Sequence, residues 1–175
     1  MTAGTATLVL GVGNVLMGDE GVGVHVAQRL AKNPAVMPGV EILDGGTGGF
    51  TLLDALTGCL RAVIVDACLD ARPPGTVRLR RPRCAAHFPT ALGAHDIGVR
   101  ALVEAAELLG RLPRVLLVTV SVRQPFRTGM DLSPPVAAAV PKVEAAIMRW
   151  SSRVAALDAV RPETRAGAPS CTNWR

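Results

Sequence analysis

Glu20, Asp44, Asp66 and His95 are the residues whose types and positions could do chemistry together. Glu20 follows the glycine turn after the first apolar run. Asp44 closes the second run, Asp66 closes the third, and His95 stands just before a helical stretch. In an open α/β sheet, ligands bind beyond the carboxyl ends of the strands. If the runs lie side by side, all four residues converge on that rim. Two carboxylates and an imidazole leave positions open on a divalent ion, and such O,N ligation suits nickel, zinc or manganese. Taken singly, each residue has a plain structural reading. Acidic residues at helix starts act as caps, and a lone histidine is commonly structural. Their shared edge is what points to chemistry.

Asp44 has different surroundings. It opens DGGTGG, residues 44–49, with Thr47 close enough to hydrogen-bond it. Glycines let backbone approach a ligand closely. A carboxylate held in such a turn could act as a base toward water. Equally, Asp44 could cap its own loop in an Asx turn. Local sequence leaves both readings open.

The elements that must position these residues alternate. An apolar run gives a strand at about Thr7–Val12, followed by a turn at Gly11 and Gly13. A helix from Asp19 to about Lys32 has Val22, Val26, Ala27 and Leu30 on one face. Strands are predicted at Val40–Leu43 and Ala62–Val65, with a short helix at Phe50–Thr57 between them. Thr76–Leu79 is a short strand, Asp96–Leu109 a helix capped by Asp96, and Val115–Val120 an apolar central strand. Ser133 and Pro134 open a last helix running to Trp150 or beyond, with Pro141 inside it. This alternation predicts one α/β domain over residues 1–160, a three-layer α/β/α sandwich around a mainly parallel, twisted sheet. Arg161–Arg175 is rich in Pro, Gly and Arg and is expected to be a mobile tail.

Other signals carry less. Gly11-x-Gly13 has Leu16 where a dinucleotide fingerprint needs its third glycine, and there is no P-loop motif. A small-molecule enzyme on a nucleotide-binding sheet is therefore disfavoured. No serine sits in a G-x-S-x-G elbow and no cysteine has a local catalytic signature. His25 lies within the first helix, read as facing solvent, and His87 has no partner pattern. Cys59, Cys68, Cys84 and Cys171 are widely spaced, which suits neither a zinc site nor a disulfide framework. Cys59 and Cys68 read as buried small hydrophobes, and Cys171 as exposed.

The chain has 175 residues and a formal net charge of +5. Its arginines are scattered and aromatics are only 3%, which argues against nucleic acid as partner. The one basic cluster, Arg78–Arg83, reads as an edge strand whose outer face is basic, with Val77 and Leu79 inward. An acidic partner is the other reading. No apolar run is long enough to span a membrane. No basic n-region precedes the first run, so the expectation is a cytoplasmic protein, and a monomer.

Several blocks together resemble the hydrogenase maturation endopeptidases, which process the large subunit of nickel–iron hydrogenases. They are GVGNVLMGDEGVGVHVAQRL, EILDGGTGGFTLLD, AVIVDAC, GAHDIG and LSPPVAAAVP, in collinear order over about Leu8–Trp150. The resemblance implies a twisted sheet flanked by helices. It implies removal of a C-terminal extension from the large-subunit precursor after nickel insertion. It maps the metal-contacting residues onto Glu20, Asp66 and His95, which sense nickel held by the precursor. It maps the cleavage residue onto Asp44, as in an aspartic-type peptidase with no organic cofactor. Binding energy available only when nickel is present would then place the scissile peptide beside Asp44. A nickel-dependent assembly chaperone that binds the precursor without cutting it is the alternative. The chain departs from the family pattern at SVRQPFRTG, residues 121–129, which brings Arg123 and Arg127, and at Ala94 before His95. These changes bear on which hydrogenase is processed.

Overall fold

The computed structural model describes residues 6–33, 35, 37–89, 97–124 and 128–160. His95, Asp96, Arg127 and the expected tail, Arg161–Arg175, lie outside the described residues.

Five strands form one sheet: β1 (Thr7–Val12), β2 (Val40–Gly46), β3 (Arg61–Cys68), β4 (Val77–Arg80) and β5 (Arg114–Ser121). Their spatial order is β2-β1-β3-β5-β4. The first four in that order run parallel, and β4 joins β5 antiparallel. Among the described residues the α-helices are α1 (Val22–Ala31), α2 (Leu53–Gly58), α3 (Ile97–Leu108), α4 (Pro134–Ala137) and α5 (Val140–Val160). The expected three-layer α/β fold with a mainly parallel sheet is therefore found.

Strand alternation divides the core into two layers. Leu8 and Leu10 of β1, Ala62 and Ile64 of β3 and Leu117 of β5 pack with Leu56 of α2 and Leu102, Val103 and Ala106 of α3. Val9, Val63, Val65 and Val118 point the other way. They pack with Val22 and Val26 of α1 and Val140, Val143 and Ile147 of α5. Every residue of β1 and β3 is buried. Parallel strands covered on both faces read as continuous apolar runs rather than alternations, and this is what made them visible in the sequence.

Glycine sets how closely α1 sits on the sheet. A Cβ placed on Gly23 would lie 2.2 Å from the Val65 carbonyl oxygen and 2.3 Å from that of Val12. The first turn of α1 thus presses directly on β1 and β3. Gly13 has φ +135°, and a Cβ there would meet the Glu20 carbonyl at 2.0 Å. That contact folds the β1 turn back under Glu20.

The structure corrects several boundaries. β2 continues through Gly46, so Asp44 lies inside a strand rather than after it. β3 continues to Cys68 because β5 pairs with it as far as Ser121, whereas pairing with β1 stops at Val65. The single last helix is two. Pro141 stands in the first turn of α5, where a missing N–H costs no helical bond. β4 is an edge strand as expected, with Val77 inward, but Leu79 on the same face does not reach the core. Leu79 is exposed, while Arg78 turns toward Asp70, with 3.9 Å between Nη1 and Oδ2. Asp70 supplies a countercharge to the Arg78 guanidinium on the opposite face from Val77. Val77 packs against the α5 layer, and Leu79 falls beyond that cover. Cys59 and Cys68 are buried as expected, and neither is in a disulfide. Cys84 is disulfide-bonded, contrary to the expectation of no disulfides.

Candidate active site

The connections from β1 and β3 leave the sheet toward opposite faces, β1 to α1 and β3 onward to α3. The sheet therefore has its topological switch point between these two strands, where a crevice for ligand opens. Glu20 and Asp66 flank this crevice. Glu20 sits on a 3-10 turn, Gly18–Gly21, between the β1 loop and α1. That turn packs against β3. Glu20 is 1% exposed and Asp66 5%. Asp66 is the first residue of β3 beyond its pairing with β1, and its Oδ1 accepts the N–H of Ala67 at 2.8 Å.

Buried carboxylates are rare unless partnered. Both stand at the switch-point end of the sheet, Glu20 on its turn against β3 and Asp66 within β3. Among the described residues, no three His, Cys, Asp or Glu side chains form a group that could hold a metal ion. His95, expected as the third contact, lies outside the described residues.

Asp44 is placed differently. It pairs in register with Gly11 of β1, as does Val65 of β3 on the other side. The Asp44 and Asp66 backbones thus stand on the two strands flanking β1, about 10 Å apart at the usual strand spacing. Their side chains leave opposite faces. Asp66 follows Ala62 and Ile64 toward the α3 layer, while Asp44 follows Val40 and Ile42 toward the α1 layer. Asp44 is exposed. Its Oδ1 accepts the N–H of Gly46 at 3.0 Å, and its Oδ2 accepts the side-chain amide N–H of Gln28 at 2.9 Å. The Asx turn is therefore present, and the second partner is Gln28 rather than Thr47.

Gln28 is the residue that sequence reading missed. It is 16 positions from Asp44 and meets it only because α1 packs back over β1 and β2. Asp19 is a second such case. It stands beside Glu20 in sequence but accepts hydrogen bonds from Ser133 N at 2.6 Å and Ser133 Oγ at 2.7 Å. It ties the Glu20 turn to the start of α4 and is structural. The same turn region is held by Gly129, which donates to Leu16 O and accepts from Gly18 N. The β1 and β2 turns are joined by Gly13 N to Gly46 O, 2.9 Å.

Two other histidines fall among the described residues. His25 is half-buried, not solvent-facing, with its Nε2 enclosed and without a hydrogen-bond partner among the described residues. His87 accepts a long bond from Arg83 N, 3.4 Å, on a short 3-10 turn.

The chain is similar to known proteins in sequence and in fold. The profile of the HycI hydrogenase maturation protease family matches residues 24–150. The chain is 37% identical over 134 residues to the hydrogenase expression/formation protein HupD of Bradyrhizobium diazoefficiens, covering 74% of this chain and 69% of that one. It is 33% identical over 135 residues to the hydrogenase 2 maturation protease of Escherichia coli, covering 76% and 82%. The solved structure of the E. coli hydrogenase maturating endopeptidase HybD superposes with a TM-score of 0.74 at 29% identity, covering 85% of this chain and 93% of that one. A profile match over most of the chain, supported by sequence relatives and by fold, makes this protein a peptidase of the hydrogenase maturation protease family.

Proposed function

We propose that this chain removes the C-terminal extension of a nickel–iron hydrogenase large-subunit precursor after nickel insertion, acting as a cytoplasmic monomer. The observation that carries the reading is the placement of three carboxylates around one strand. Glu20 and Asp66 are buried at the switch point, and Asp44 is exposed one strand away with both oxygens held. Nickel belongs to the substrate. Glu20 and Asp66, with His95 as the expected third contact, would meet vacant positions on the precursor's nickel. Docking there would bring the scissile peptide to Asp44. A hydrogen-bonded, ionised carboxylate can take a proton from water as that water attacks the scissile carbonyl, and the departing amine then receives the proton. One peptide bond breaks and one water is consumed. No organic cofactor is needed. No helix among the described residues is long and apolar enough to cross a membrane.

The test is a processing assay with purified precursor, nickel-loaded or nickel-free, read by mass spectrometry of the large subunit. The expected result is loss of a C-terminal segment only from the loaded form. Asp44→Asn should lower the cleavage rate by about 10²–10⁴-fold, as loss of a general base does, while the precursor still binds. Cleavage by Asp44→Asn at the wild-type rate would remove Asp44 from the chemistry. Binding with no mass change under any nickel loading would overturn the protease reading for this substrate.

A further inference from the structure

The two edges of the sheet are unequal. The β4 edge is four residues long and carries Arg78 and Arg80. Short length and charge are the usual means of stopping an edge from pairing with another chain. The β2 edge is seven residues long, VEILDGG, and contains no Lys, Arg or Pro. It lies at the end of the sheet order, and among the described residues no strand pairs with its outer side. Asp44 is exposed at its carboxyl end. An open edge of this kind presents alternate main-chain N–H and C=O groups to any extended polypeptide laid along it.

We propose that the outer edge of β2 is the docking line for the substrate, and that an extended segment of precursor pairs with it as a sixth strand. This rests on the processing role proposed for Asp44. The occupant follows from the chemistry of the edge. Its main-chain groups select extended backbone, not a helix or a folded surface. Seven residues give about 20 Å of pairing length, enough for five or six residues of peptide. A strand paired there lies about 5 Å from the β2 backbone, within reach of the Asp44 carboxylate. Asp44 is exposed at this edge and none of its seven residues is basic, so the segment that fits is neutral or basic rather than acidic. Phe50 follows the β2 turn and is 60% exposed, an apolar side chain open to the paired segment past the end of the strand. Backbone pairing supplies most of the affinity, and Phe50 adds sequence preference.

The test is hydrogen–deuterium exchange on the full chain, alone and with nickel-loaded large-subunit precursor, with cleavage followed in the same mixture. In the chain alone, the outward amides of residues 40–46 should exchange faster than those of β1. With precursor bound they should slow at least tenfold, while residues 77–80 stay unchanged. Phe50→Ala should raise KM several-fold and leave kcat near wild type. Bound precursor without added protection at 40–46 overturns the edge proposal. So does a β2 edge already as protected as β1 in the free chain, or a dimer in sedimentation whose formation protects residues 40–46. The two readings separate cleanly. Cleavage without β2 protection defeats the docking line alone, whereas β2 protection without cleavage defeats the protease role alone.

Discussion

Gln28 Nε2 donates to Asp44 Oδ2 at 2.9 Å, so a side chain of α1 holds the carboxylate at the end of β2. The other oxygen is held by Gly46 N–H at 3.0 Å. Two donors fix the plane of the carboxylate and leave its remaining lone pairs for a water. Gln28 does not reach the reacting atoms through this bond; it orients the group that does. A hydrogen bond to a charged group contributes about 1.5–3 kcal/mol, and solvent exposure of this pair places it at the low end. Gln28→Leu should therefore lower kcat about tenfold with KM little changed. Gln28→Glu gives a sharper readout. Two adjacent carboxylates resist being ionised together, so the acid limb of the pH–rate profile should move to higher pH. Activity lost at acid pH should return as pH rises. A Gln28→Glu profile that superposes on wild type would show that this bond does not position the base.

Glu20 should act through the metal and not through the peptide bond. It is enclosed beside β3 at the switch point. Glu20→Gln keeps the shape and removes the charge that would face a cation. The quantity to measure is the ratio of processing rates on nickel-loaded and nickel-free precursor. A ratio cancels any general loss of folded protein. It should fall about tenfold, close to 1.4 kcal/mol of lost discrimination. A ratio unchanged from wild type would mean that another group reads the nickel.

What the sequence made legible follows from which interactions are local. The β1 run and its glycine turn could be read because continuous apolar residues between turn signals mark a doubly buried strand. The place of Glu20 beyond the β1 turn followed from that alternation. The ends of β2 and β3 were not legible, because a polar Asp inside a strand looks like a terminus until the neighbouring strand is known. Asp66 stays in β3 only because β5 extends to pair with it. The exposure of Leu79 on β4 depended on where the α5 layer stops, outside the strand itself. The Gln28–Asp44 and Asp19–Ser133 bonds join residues 16 and 114 positions apart, and no local pattern encodes them. Nor did the sequence show that Asp44 and Asp66 leave opposite faces. Side-chain direction in a strand reverses with each residue, so it needed the register.

Gly23 should be among the most sensitive positions in the fold. An added Cβ meets backbone carbonyls of both β1 and β3 at 2.2–2.3 Å, and neither can move without breaking the sheet. Gly23→Ala must lift α1 off the sheet. The cost expected for such overpacking is about 3 kcal/mol, seen as a lower urea midpoint. The same displacement would carry Gln28 away from Asp44 and the Glu20 turn away from β3, so processing should fall even where the variant remains folded. An unchanged midpoint would show that α1 does not bear on β1 and β3 as described.

Cys68 links the site edge to pH. Burial pushes its thiol pKa up, and the nearby carboxylates of Asp70 and Asp66 push it further, against a smaller opposing effect of Arg80 and Arg78. The folded protein therefore holds this proton more tightly than the unfolded chain, whose thiol ionises near 8.5. Above about that pH the unfolded state binds fewer protons than the folded one, and stability falls as pH rises. Below it, the contribution is fully present. The decline should run from about pH 8.5 until the folded-state thiol itself ionises, at up to about 1.4 kcal/mol per pH unit. Cys68→Ala removes the titrating group. Urea midpoints of wild type and variant, measured from pH 7 to 10, should run parallel at first and converge or cross above pH 8.5 as wild type loses stability faster. Parallel curves across the whole range would show that the Cys68 thiol titrates alike in the folded and unfolded chains.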